Sequence, residues 1–143
     1  QEAHDAALAS VQRSDLQDGF YEKLRGAGYA LVDNAWFGED ERAANHLVMA
    51  GPNGEKLGIV VRPVTDPAGR CTNEVEVNFQ EHAPSEIRRR EQLERLRAAM
   101  AEVYGAVEGG WTPLPGQDFT KNAPEECFDM ERVRAGRAGH GKA

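Results

Sequence analysis

Between residues 29 and 80 four segments of strand length follow one another, at 29–37, 45–50, 57–65 and 71–80, and no break between them can hold a crossover helix. Parallel pairing of successive strands needs such a crossover, so the spacing predicts an antiparallel meander. The breaks carry turn chemistry. Gly38, Glu39, Asp40 and Glu41 form a solvated turn, Pro52, Asn53 and Gly54 include the Asn-Gly pair of a tight hairpin, and Asp66, Pro67, Ala68 and Gly69 repeat the signal. In the fourth segment Cys71, Asn73, Val75, Val77 and Phe79 alternate with Thr72, Glu74, Glu76, Asn78 and Gln80, the period of a sheet with one dry and one wet face. Helices must cover the dry face.

Two helices are available to do so. Residues 2–12 are rich in alanine, Ser14 and Gln17 have capping-box spacing, and a helix is predicted from about Asp15 to residue 26. Leu16, Phe20 and Leu24 lie on one side of it with Tyr21 alongside, and Gly26 and Gly28 supply a helix end. The second helix runs over 85–104, from an N-capping Ser85 to Gly105. Its residues Leu93, Leu96, Met100, Val103 and Val107 step by three and four, the spacing of a core stripe. The expected fold is therefore α+β, with an antiparallel meander of three to four strands flanked by an N-terminal helix and a long helix after the last strand.

Residues 108–124 are rich in glycine and proline around Trp111, Leu114 and Phe119, and are expected to dock by their aromatics without regular structure. Asn122 is placed to cap a short helix through Val133, with Pro124 in its first turn and Glu125 and Glu126 at the positive end of the dipole. Residues 1–134 then form one domain, and 135–143 have too little apolar surface to order, making a disordered basic tail. The chain begins at Gln1 rather than Met, as a processed chain or a piece of a longer one would.

Length and charge exclude several classes. A domain of 143 residues buries enough surface to fold without a disulfide framework or structural metal. Its apolar runs, such as 57–61, are far shorter than the roughly 20 residues that cross a bilayer, and no secretory leader pattern is present, so no membrane contact and a cytoplasmic location are expected. A net charge of −7 repels nucleic-acid backbones, so nucleic acid is not the expected partner. The distribution is uneven: residues 132–143 carry four cations, Arg132, Arg134, Arg137 and Lys142, and no acid.

Motifs with chemical content are few. Gly51, Gly54 and Lys56 are grouped as in a phosphate-binding loop, but Glu55 precedes the lysine and Leu57 follows it, where that loop needs glycine and a hydroxyl. The segment reads as a hairpin. Cys71, Cys127, His4, His46, His82 and His140 show no zinc-site spacing; a site built from Cys71, His82 and Cys127, or a disulfide between the two cysteines, is an alternative to a small buried cysteine on a strand. No metal or other cofactor is expected. Glu74 and Glu76 place two carboxylates on one sheet face, where acid-base or metal chemistry competes with a simple solvated face.

The sharpest departure from helix rules is Arg88, Arg89 and Arg90, three cations at the positive end of a helix dipole. With Ser85, His82 and the free backbone donors of the first turn they make a candidate binding site for a phosphate, a carboxylate or an acidic peptide. The plainer alternative is a face neutralised by Glu81, Glu86, Glu91 and Glu94. With no catalytic constellation in view, the expected function is a non-catalytic protein-binding module, regulatory or adaptor-like and open to self-association, that presents its sheet edge and long helix to a partner. The alternatives are a small metal-assisted hydrolase using Glu74, Glu76 and His82, and an anion or nucleic-acid contact through the arginine cluster and the basic tail.

Overall fold

The computed structural model describes residues 2–81, 85–106, 111–116 and 121–137. Helix α1 (Glu2–Gly26) leads into strands β1 (Ala30–Trp36), β2 (Asn45–Ala50), β3 (Lys56–Thr65) and β4 (Cys71–Gln80), then helix α2 (Glu86–Ala106), strand β5 (Trp111–Pro113), a 3-10 turn (Glu125–Phe128) and helix α3 (Met130–Arg134). The strands lie side by side in chain order. The first four are antiparallel, as the short turns require, and the Asn53-Gly54 hairpin uses the positive φ of Gly54.

The sheet has five strands rather than three or four, and α2 does not follow the last of them. β5 pairs parallel to β4, reached through α2, and the backbone N–H of Leu114 extends the pairing to the Val75 carbonyl at 2.7 Å. A three-residue edge strand beside prolines has no periodicity to reveal it. α1 is also longer than its caps suggested. Ser14 is an interior residue, and Gln17 does not close a capping box: its amide donates to the carbonyls of Asn45 at 3.0 Å and Ile59 at 2.9 Å. The alanine-rich start is itself good helix. Near the C-terminus the expected helix is replaced by the 3-10 turn and α3. Asn122 caps nothing there, because its side chain grips the Glu81 backbone, and Asp129 caps α3 by accepting from Arg132 N–H at 3.2 Å.

The main core lies between the helices and one sheet face. Leu16, Phe20 and Leu24 of α1 and Leu93, Leu96, Met100 and Val103 of α2 pack on Leu47, Met49, Leu57, Ile59, Val61, Val75, Val77 and Phe79. Tyr104 packs edge-on against Phe20 and stacks on Trp111 at 4.3 Å, which ties β5 to both helices. Val107, the last member of the expected stripe, lies outside the described residues.

On the opposite face a smaller cluster joins Ala35 and Val48 to Met130 and Val133, with Phe128 alongside. Gly58 lets this cover approach, since a Cβ there would stand 3.3 Å from the Phe128 ring. Residues 135–137 continue from α3, with the Arg137 N–H donating to the Arg132 carbonyl at 3.0 Å; residues 138–143 of the expected tail lie outside the described residues. No helix among the described residues is long and apolar enough to cross a membrane.

Candidate functional site

Ser85 caps α2 as its position suggested, its hydroxyl accepting from the Arg88 N–H at 3.2 Å. The three arginines then diverge, because successive helical residues point about 100° apart. Arg89 turns back to the carboxylate of Glu81, which is buried at the end of β4 and whose backbone Asn122 holds on both sides. Arg88 and Arg90 are exposed. Arg88 borders an open concavity of about 570 Å³ with Asn53, Glu91, Glu94, Arg95 and Ala98, where two acids offset two cations. His82 lies outside the described residues.

The acid pair is occupied as well. Arg62 stands opposite Glu74 in the β3/β4 register, and its guanidinium spans Glu74, at 3.0 Å, and Glu76. Asn78 donates to the second Glu76 oxygen at 2.9 Å. His46, on β2 across from Val60, is largely buried and stacked on Phe37. Burial, then the charges of Arg62 and Arg132, push its pKa down to about 4, so it is neutral at pH 7. Cys127 is buried beside this face, and burial with the nearby Glu76 pushes its thiol up to about 11. These groups are neutralised or protonated as they stand, and among the described residues no three metal-ligating side chains converge.

Cys71 and Cys127 are both free thiols, on opposite faces of the sheet. Cys71 shares strand parity with Asn73, which reaches α1, whereas the Cys127 carbonyl lies over Gly58 on the far face. Neither the disulfide nor a metal site using both sulfurs fits that separation.

One group that the sequence reading passed over is Arg13. Its side chain is 2% exposed, with Nη1 donating to Asn73 Oδ1 at 2.7 Å and Nη2 to the Arg42 carbonyl at 3.1 Å. Asn73 in turn donates to the Ala9 carbonyl at 2.9 Å. The guanidinium Nε has no hydrogen-bond partner. Burial lowers its pKa, as desolvation of a cation must. The signal was present: stepping back from Leu24 through Phe20 and Leu16 by three or four residues lands on Arg13 and Ala9.

Compared with known proteins, the chain matches no family model, no curated protein and no solved structure.

Proposed function

We propose that the chain is a non-catalytic protein-binding module of the cytoplasm that offers the β1 edge of its sheet to an extended segment of another protein. The support is one observation: β1 has β2 on one side and, among the described residues, no strand on the other, while Leu31 and Val32 are 50% and 59% exposed on it. An open edge supplies backbone donors and acceptors, and apolar side chains beside it supply burial. The register shift between Leu31 and Asp33 makes Val32 a bulge, which breaks indiscriminate strand addition and leaves a limited set of pairings.

The alternatives have less behind them. A hydrolase would work through Glu74 and Glu76, and both end on Arg62. An anion arriving at the arginine cluster would meet Arg88 and Arg90, since Arg89 already carries Glu81. Two variants separate the readings in a binding assay with the natural partner, and sedimentation velocity over a concentration series covers the case in which that partner is a second copy. Leu31→Lys with Val32→Asp is expected to abolish complex formation, and Arg88→Gln with Arg90→Gln to leave it intact. The reverse pattern would move the function to the arginines, and a complex indifferent to both would remove β1 from the interface.

A further inference from the structure

We infer that the Asp33 side chain is a plug on the β1 edge: clamped by Arg134, it occupies the outward backbone N–H of Asn34, and another strand pairs there only after it swings away. The inference rests on the reading of β1 as the docking edge and concerns how that edge is kept closed. The direction of the N–H follows from the pairing. Phe37 N–H donates to the Ala44 carbonyl at 2.8 Å, which makes Trp36 and Asn45 a pair that exchanges no hydrogen bonds with each other. The alternation of an antiparallel ladder then makes Ala35 and His46 a bonded pair, and Asn34 and Leu47 an unbonded one. Asn34 therefore turns its own N–H and C=O away from β2, toward the open side of β1.

That N–H is already taken. It donates to Asp33 Oδ1 at 2.8 Å, so the carboxylate stands where the carbonyl of an added strand would have to be. The carboxylate is itself anchored from another element. Arg134, the last residue of α3, places Nη1 2.8 Å from Asp33 Oδ2 and Nη2 against Oδ1, a two-pronged grip. The Asn34 side chain holds the backbone still beneath the plug, its amide donating inward to Asn45 Oδ1 at 2.8 Å and to the His46 carbonyl at 3.0 Å.

Proteins blunt open edges with bulges and with charged side chains. β1 carries both, and they differ in kind. The bulge at Val32 is fixed in the backbone, whereas the plug is a side chain whose partner is also partly exposed, so water, salt or a competing backbone carbonyl can displace it. Beyond the bulge the regular ladder runs only over residues 33–36, and the plug sits inside that stretch. Closing one N–H there closes most of what the edge offers, and it does so reversibly.

The test uses the full chain, labelled with nitrogen-15, and two measurements. In hydrogen exchange followed by NMR, the Asn34 amide is expected to exchange at least about threefold more slowly than an unprotected amide of the same sequence. Asp33→Ala is expected to abolish that protection and Arg134→Gln to reduce it, while the Ala35 amide, which faces β2, keeps its own. In sedimentation velocity the probe is a second copy of the chain. Both variants are expected to associate at concentrations about tenfold below those of the unsubstituted chain, and adding Leu31→Lys with Val32→Asp to either is expected to abolish the effect. Net charge gives the control, because Asp33→Ala makes the chain less acidic and Arg134→Gln makes it more so.

An unprotected Asn34 amide in the unsubstituted chain would overturn the inference, and that measurement decides even where a variant fails to fold. So would association that rises with Asp33→Ala but falls with Arg134→Gln, which is the mark of net charge alone, or an Asp33→Ala variant that associates no more readily than the unsubstituted chain. None of these results touches the docking reading itself, which stands or falls on Leu31→Lys with Val32→Asp against the natural partner.

Discussion

The two faces of the sheet are built on different principles. One is covered by α1 and α2 over a continuous apolar core from Leu16 to Val103. The other is covered by a 3-10 turn and the five residues of α3, whose apolar cluster has four buried members. What the second face lacks in apolar area it makes up with polar links: Arg62 to Glu74 and Glu76, Arg134 to Asp33, and Lys56 to Glu125 at 3.2 Å. The first face gains stability in proportion to area removed from water, about 25 cal/mol per Å². Exposed pairs such as Lys56–Glu125 contribute at most about 1 kcal/mol each. The difference places most of the folding energy on the first face and most of the pH and charge sensitivity on the second.

Three measurements can break or sharpen that division. The largest effect belongs to the helical face, where Leu96→Ala is expected to cost about 2–5 kcal/mol in urea unfolding, because Leu96 is fully buried and leaves a cavity. A stability unchanged by that substitution would take α2 out of the core. On the opposite face, Arg62→Gln removes the cation between two largely buried carboxylates and is expected to cost about 1–3 kcal/mol, the penalty of uncompensated charge rather than of lost packing. If the division holds, adding Glu74→Gln and Glu76→Gln to that variant restores most of the loss, a rescue that no polar substitution can give at Leu96.

The smallest of the three concerns His46. Its folded pKa, about 4, lies below its ordinary value of 6.5, so the neutral ring contributes stability that is complete above pH 6.5 and is lost as the pH falls toward 4. Unfolding free energies at about pH 7 and about pH 4.5 should therefore differ by about 1–2 kcal/mol more in the unsubstituted chain than in His46→Gln. An identical pH dependence in the two proteins would show that protonated His46 is accommodated on that face without penalty.

How much of this was legible in the sequence follows from the same contrast. The strands β2 and β4 and the stripes of α1 and α2 were readable, because a face buried against a large core must repeat at two or at 3.6 residues. β5 and the cover of α3 were not, since three to five residues give no period and their placement depends on the stacking of Trp111 on Tyr104 and on the room above Gly58. At the arginine cluster, composition revealed the charges and the Ser85 cap, but the direction of Arg89 depends on where β4 ends and leaves Glu81. Arg13 was hidden by its chemistry: a cation in an alanine-rich helix reads as solvated, although its spacing from Leu16 and Phe20 puts it inward.

The burial of α1 also bears on how the chain is made. Its inward side rests on partners supplied much later, from the Asn45 carbonyl and Asn73 to Val103 of α2. About 77 residues separate Gly26 from Val103, so a ribosome adding about 5–20 residues per second needs roughly 4–15 seconds to deliver them after the helix is complete. Through that interval Leu16, Phe20 and Leu24 can pack only on β2, β3 and β4 as these emerge, and the part of the stripe that meets α2 stays uncovered. The first helix to be made is thus the last to be fully covered, because its packing is completed only when α2, which follows β4 in the chain, arrives.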